Sequence, residues 1–290
     1  MTNIPSISVV VITLNEGERL RETVEGLRIT LPPEAELIVV DDGSTDGSTE
    51  FLAAQDEPAL LLRARGLGTA RARNWGARHS HGDHLIFADA HIALPSGWWE
   101  PIVELLARPE TGAAAPMVSD LNDPGCRGYG LRLRRDLTCE WMPGRQAEPY
   151  TVPLLPGCCL GMRREVFETI GGFDEGLLRW GGMEHELGVR LWLLGYELWL
   201  APEVDCRHLF RDEGAYHVEW SWLIHNRLRL AFLHFDRPRI ARAVEALREH
   251  PAFPEALALL ADGDVSHRRC ELASRHVRDI DWYFRTFGDE

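Results

Sequence analysis

Apolar positions along the first two hundred residues follow two alternating rhythms. ISVVVIT at 7–13 is an unbroken β-branched run, the pattern of a strand buried on both faces. Leu20, Val24 and Leu27 then recur at helical spacing. The exchange repeats: AELIVVDD (35–42) reads as a second strand ending in two acids, ALLLRA (59–64) as a third and HLIFADA (84–90) as a fourth. GTARARNWGARHS (68–80) and SGWWEPIVELLAR (96–108) read as the helices between and after them. Strand–helix alternation of this kind predicts an α/β fold, a mainly parallel sheet flanked by helices.

Residues 119–151 show little periodicity and several Gly and Pro, so a long irregular excursion is expected there. The rhythm resumes with a short strand at CCLGM (158–162) and a helix at RREVFETI (163–170), stopped by Gly171-Gly172. A further helix is expected over about 184–194, ended by Gly195 in the left-handed turn that commonly closes helices. ELWLAPEVDCRHLF (197–210) supplies one or two more strands. From about 213 onward the chain is amphipathic and helical, without strand-like alternation. Two parts are therefore expected, an α/β domain over 1–212 and a helical C-terminal extension over 213–290.

Composition narrows the chemistry. Of 290 residues, 45% are hydrophobic, and a chain of this length buries roughly three-quarters of its unfolded surface, enough to fold without disulfides or a structural metal. The net charge of −14 speaks against a nucleic-acid partner, since phosphate backbones are bound by clustered Lys and Arg. It favours a divalent cation wherever a diphosphate must be accepted. The six cysteines show no CxxC pairing, which suits reduced thiols in a cytoplasmic protein. The N-terminus lacks the basic-then-apolar pattern of a signal peptide, and no run approaches the roughly 20 apolar residues of a transmembrane segment.

Ligands of open α/β sheets bind beyond the carboxyl ends of the strands. Thr13, Asp41, Asp42, Asp89 and His91 all fall at such ends. Asp89 and His91 are two apart, so on an extended segment they point the same way; mixed O/N ligation then suits manganese or zinc better than calcium. The plainer alternative is a surface turn with a stray histidine. His208, in the apolar strand end CRHLFR, is either a third ligand or a hydrogen-bonded core histidine. Asp41-Asp42 before Gly43-Ser44 is either turn chemistry or a base or ribose contact. In LLRWGGMEHELG (177–188), Gly181-Gly182 would let backbone approach a ligand just before a helix. Glu184 and Glu186 would stabilise that helix's first turn or supply a general base. Trp180 would pack in the core or cover a sugar ring.

VVVITLNE, IVVDDGSTDGS, GTARARNWGA and FADAH followed by GWWEPIVELL resemble the nucleotide-binding half of a GT-A-fold (nucleotide-diphospho-sugar transferase) glycosyltransferase of the family 2 type. PLLPGCCLGMRREVFETIGGFDEGLLRWGGMEHELGVRLWLLGYE, then APEVDCRHLFR, resembles the polypeptide N-acetylgalactosaminyltransferases and the WGGED segment of bacterial chondroitin-type polymerases. The resemblance covers about residues 5–212. It implies a nucleotide pocket lined by Thr13 and Glu16, with Asp42 near the base and Arg71 nearby. Asp89 and His91 would form an Asp-x-His motif, with His208 as third ligand to Mn2+ (or Mg2+). Arg211 would lie near the diphosphate, and residues 212–220 would close over the donor.

One departure stands out: Met183 replaces the first acid of WGGEN or WGGED, and Glu184 stands where the Asn or Asp would be. Glu184 is the candidate base, which favours inversion, while the Asp-x-His pair and late histidine resemble retaining relatives; the sequence leaves both open. The implied activity is metal-dependent transfer of a hexose or N-acetylhexosamine from a nucleotide donor, expected to be a UDP-sugar, to a hydroxyl or other nucleophile. The acceptor, whether glycan, peptide or small molecule, is not specified. A catalytically inactive nucleotide-sugar-binding protein and a nucleotidyltransferase are the alternatives. The latter should carry a glycine-rich basic loop after the first strand, which VITLNEGERL lacks.

Overall fold

A computed structural model describes residues 6–53, 59–144, 146–211 and 217–288. Along the chain run β1 (Ile7–Thr13), α1 (Glu18–Thr30), β2 (Glu36–Asp41), α2 (Glu50–Ala53), β3 (Ala59–Arg63), α3 (Thr69–Arg78) and β4 (His84–Asp89). Next come β5 (Ile92–Ala93), α4 (Trp99–Leu106), β6 (Thr111–Asp120), β7 (Arg127–Gly128), β8 (Leu131–Leu133), β9 (Cys139–Trp141) and β10 (Tyr150–Thr151). Then follow β11 (Cys159–Arg163), α5 (Arg164–Ile170), α6 (Met183–Leu193) and β12 (Glu197–His208). Helices α7 (Trp220–His234), α8 (Arg237–Leu247), α9 (Phe253–Ala261), α10 (Val265–Ala273) and α11 (Ile280–Phe287) complete the described chain.

The main sheet runs β10-β12-β6-β11-β4-β1-β2-β3. The β3-β2-β1-β4 stretch is parallel throughout, as is the β12–β6 pair. Successive residues of β1 and β2 serve opposite faces: Val10, Ile38 and Val40 belong to one apolar cluster, Val9, Val11, Leu37 and Val39 to the other. That division is why those strands read as unbroken hydrophobic runs. The sheet is mixed, because β11 enters antiparallel to both β4 and β6. The reversal matters for the site: it brings the start of β11 beside the end of β4, where the Asp89 N–H donates to the Cys158 carbonyl at 2.9 Å.

Strand β6 was not expected from the sequence. TGAAAPMVSD is poor in β-formers, yet every residue but the last is buried. Small side chains suit a strand covered this closely: a Cβ at Gly112 would come within 2.7 Å of Tyr196 Cβ. Pro116 lacks the N–H a ladder needs, and β12 shifts register between Ala201, opposite Pro116, and Asp205, opposite Met117. A bulge beside the missing donor is the usual accommodation. The excursion expected over 119–151 contains the short strands β7–β10, and the β8–β9 hairpin presents Trp141.

The C-terminal helices share the sheet's core. Leu230 and Ala231 of α7 and Tyr283 and Phe284 of α11 join the cluster containing Val10 and Leu160. A smaller cluster lies among α7, α8, α9 and α10. No helix among the described residues is long and apolar enough to cross a membrane.

Candidate active site

A cavity of about 1150 Å³ opens at the carboxyl ends of the parallel strands, and Thr13, Glu16, Asp42, Asp89, His91 and His208 all line it. The extended spacing expected for Asp89 and His91 is corrected in detail. β4 ends at Asp89, and His91 lies in the turn that follows, so the turn rather than strand alternation aligns them. Pairing of β12 with β5 sets His208 opposite Ile92, and this brings the late histidine to the early motif. One ligand atom from each of Asp89, His91 and His208 lies within 4.8 Å of the others. The two imidazole Nε2 atoms are 3.1 Å apart, and His208 Nε2 is 3.5 Å from Asp89 Oδ2.

This donor set fits a divalent cation. Glu16, buried, sets its carboxylate 3.1 Å from His91 Nδ1, although the angle lies outside hydrogen-bond geometry. A carboxylate there selects the tautomer protonated at Nδ1, leaving the Nε2 lone pair facing His208. With the His91 Nε2 lone pair facing His208 Nε2 at 3.1 Å and Asp89 Oδ2 alongside, the three donors are joined either by a proton on His208 or by a cation held between them. Burial alone would raise the Glu16 carboxyl, but contact with His91 and Arg211 outweighs it and lowers the pKa. Arg211 grips both Glu16 oxygens, so it reaches the cavity already tied to that acid.

Sequence reasoning missed Arg73. Its guanidinium is buried and donates to Asp89 Oδ1 at 2.6 Å, to the Gly157 carbonyl at 2.9 Å and to Met183 Sδ at 2.7 Å. Burial would raise the Asp89 carboxyl; the His208 contact and the Arg73 charge override it and hold it well below the usual carboxylate range. Spacing gave no signal for Arg73, which sits mid-helix among other arginines. Arg71 is corrected in the opposite direction. It donates to the Glu175 carbonyl and lines a separate cavity of about 270 Å³ with Leu177, Arg179 and Trp222, outside the main cleft.

The acidic pair divides. Asp41 does turn chemistry: it accepts from the Gly43 and Ser44 N–H groups and the Thr49 hydroxyl. Asp42 lines the cleft while its two oxygens accept from the Leu67 and Gly68 N–H groups, which fixes its orientation. Thr13 Oγ1 is buried with no hydrogen-bond partner among the described residues.

Glu184 and Glu186 also separate. Glu184 lines the cleft, with Oε1 3.6 Å from His185 Nε2; burial lowers the His185 pKa, which favours a neutral ring beside the acid. Glu186 is a core residue, paired with Arg190 and His234. Trp180 is half-exposed on the cleft wall, as are Trp141 and Phe210. Phe210 packs against both His208 and Trp141. The close approach expected of Gly181-Gly182 is made to helix α7: an added Cβ at Gly181 would lie 2.6 Å from Leu223 Cδ2. Of the expected closing loop over 212–220, residues 212–216 lie outside the described residues, while His217 and Val218 line the cleft.

Comparison with known proteins places this geometry. A family model described as glycosyl transferase family 2 matches residues 8–171, and one described as the N-terminal domain of galactosyltransferase matches 146–211. N-acetylgalactosaminyltransferase 6 of Drosophila melanogaster is 31% identical over 73% of this chain and 35% of its own length. Polypeptide N-acetylgalactosaminyltransferase 4 of Mus musculus is 26% identical over 98% of this chain and 51% of itself. The chain thus spans about a third to a half of the length of these curated relatives. Among solved structures, GalNAc-T7 with UDP, GalNAc and Mn2+ superposes with a TM-score of 0.80 at 22% identity, covering 98% of this chain and 57% of that one. The mannosyltransferase PcManGT from Pyrobaculum calidifontis, in complex with GDP-Man and Mn2+, gives 0.58 at 21% identity over 94% and 81%. These likenesses show the GT-A fold. The family 2 match runs through more than half of the residues, from the first strand to the turn after α5, and the chain belongs to glycosyl transferase family 2.

Proposed function

We propose that the chain is a metal-dependent glycosyltransferase that moves a hexose or N-acetylhexosamine from a UDP-sugar to a hydroxyl or other nucleophile. The observation that carries this is the convergence of Asp89, His91 and His208 in one cleft, backed by Glu16. Asp42 and Glu184 line the same cavity. Asp89, His91 and His208 would hold Mn2+ (or Mg2+), which when bound neutralises charge developing on a leaving diphosphate. Thr13 and Asp42 would orient the nucleoside, and Arg211, steadied by Glu16, would sit at the diphosphate. Glu184 would take the proton from the acceptor hydroxyl, and Trp180 would cover the sugar and exclude water.

The names of the relatives point to a peptide acceptor, which makes Ser- and Thr-containing peptides the first acceptors to assay. The product's anomeric configuration decides whether Glu184 acts as the base of an inverting reaction; retention removes that role. We also propose a cytoplasmic location, supported by the cysteine pattern. Thiol labelling of protein isolated without reductant tests it, since fewer than six reactive cysteines in the denatured chain would refute it. The family match does not favour the inactive-binder and nucleotidyltransferase alternatives.

The direct test is a thermal-shift panel with UDP-GalNAc, UDP-GlcNAc, UDP-Gal and UDP-Glc, with and without Mn2+, followed by UDP-release assays. At least one donor should raise the melting temperature only with metal and be hydrolysed slowly, and EDTA should stop the release. No metal-dependent shift with any donor would refute the proposal.

A further inference from the structure

The loop between Leu177 and Met183 carries Trp180 and leads into Glu184, yet it has no regular secondary structure of its own. Its path is unusual: Arg179 has φ 47°, a left-handed conformation costly for a non-glycine residue, and Gly181 and Gly182 supply φ 92° and 79°. Such a path persists only where surrounding contacts over-determine it. One side chain supplies most of those contacts. Asn226 of α7 is almost fully buried. Its Oδ1 accepts the Leu178 N–H at 2.8 Å. Its Nδ2 group donates to the carbonyls of Leu178 and Gly181 at 2.8 Å and of Trp180 at 3.2 Å.

The clamp is braced on both sides. Across the loop, the Thr69 N–H of α3 donates to the Arg179 carbonyl at 2.7 Å. Behind Asn226, one turn along α7, Arg229 donates to both oxygens of Asp174, just before the loop, and pairs with Asp264 at 2.7 Å. A Cβ at Gly182 would meet Asn226 Cβ at 3.4 Å, so the helix and loop are already in contact. α6 begins without a side-chain cap at Gly182. The first turn of α6, which carries Glu184, thus continues directly from a loop hydrogen-bonded to Asn226.

We propose that Asn226 is a positioning residue for Glu184, so that helix α7 supports the catalytic site. This rests on the reading of Glu184 as the group that activates the acceptor. An amide is needed because the loop offers one N–H and three carbonyls to the same point. A carboxylate would satisfy the N–H but face three carbonyl oxygens without a proton to donate. Displacing Glu184 by about 1 Å would cost on the order of a hundredfold in turnover, without touching Asp42 or the metal-binding trio.

Asn226→Asp tests this, with Leu260→Ala as a comparison. Leu260 lies in the α7–α8–α9–α10 cluster, so its loss destabilises the extension without contacting the loop. Hydrogen exchange at residues 178–182 and UDP-sugar hydrolysis with Mn2+, using UDP-GalNAc or the faster panel donor, are measured well below each melting temperature. Asn226→Asp should speed exchange in the loop and lower kcat by about tenfold or more, with the donor KM within about twofold. Leu260→Ala should lower the melting temperature while leaving loop exchange and kcat unchanged. If Asn226→Asp does not fold, Asn226→Ser should show the same separation of kcat from KM. Unchanged kcat, a parallel rise in KM, or an equal loss in Leu260→Ala would overturn the assignment. Absence of turnover in the unmodified protein would instead overturn the transferase reading, and with it the purpose given to the clamp, whatever the exchange data show.

Discussion

Glu16→Gln is the most informative change at the candidate metal site, because it preserves shape and removes one charge. Glu16 is buried, stands 3.1 Å from His91 Nδ1 and holds Arg211. Loss of the carboxylate behind a ligating imidazole typically costs 10- to 100-fold in metal affinity, about 1.4–2.7 kcal/mol. Two features of the site set where in that range the effect should fall. Glutamine keeps an oxygen for the imidazole N–H, which moderates the loss. It also leaves the Arg211 guanidinium beside the trio without its countercharge, and an unbalanced cation repels the metal. The second effect is long-range and acts in a partly buried site, so we expect about 30- to 100-fold weaker Mn2+ binding. Calorimetric titration of Mn2+ in the presence of UDP measures it, with the melting temperature recorded to confirm folding. An affinity within about threefold of the parent would refute both the ligand set and the role of Glu16 in selecting the His91 tautomer.

Three further outcomes are expected. Glu184→Gln should lower transfer by about 10²- to 10⁴-fold while leaving Mn2+-dependent UDP binding intact; near-normal transfer would end its role as base. His208→Ala should abolish the Mn2+-dependent part of any donor-induced thermal shift, and a shift of parental size would remove His208 from the ligand set. The Glu186 carboxyl is opposed by burial but held down to about 2 by the Arg190 charge and the His234 contact, against 4.5 when unpaired. Between those values the unfolded chain binds the proton and the folded one does not. The stabilisation is therefore present above about pH 4.5 and is lost as pH falls toward the lowered folded-state value. Urea denaturation across that range checks it, and a flat profile between pH 5 and 2 would contradict the buried pair.

Much of the fold was legible because its strands are buried on both faces. VVVI and LIVV are unbroken apolar runs within ISVVVIT and ELIVVD since α helices cover each side, and such runs separated by helical periods admit few other architectures. TGAAAPMVSD was illegible for the converse reason. Its place requires small side chains and tolerates a proline through a bulge in its neighbour, so tertiary packing overrode local propensity. The site was legible where motif and chain order coincide, at Asp89, His91 and His208. It was illegible where a role depends on what a side chain meets. Arg71 and Arg73 are two residues apart on α3, yet one faces solvent and Glu175 while the other lies under Asp89. Asn226 lies 48 residues from Leu178, the loop residue whose N–H it accepts, and nothing in the sequence near either one announces the other.

Met183 draws these threads together. Read as sequence, it is a missing acid in a segment where relatives carry one, and so an argument for an inactive site. In the structure, Met183 and Glu184 are consecutive residues at the start of α6, and consecutive helical positions point about 100° apart. Met183 is buried with its sulfur against Arg73, and borders the cleft from beneath. Position 184 is the more exposed of the two and lines the cleft beside His185. A carboxylate at 183 would meet the Arg73 guanidinium, the same group that grips Asp89 Oδ1. With a thioether there, Asp89 is the acid hydrogen-bonded to Arg73, leaving Oδ2 to face His208 and a cation. The substitution therefore changes how Arg73 is balanced and how firmly Asp89 is oriented. It does not empty the cleft of its acid, because Glu184, the proposed base, lines the same cavity.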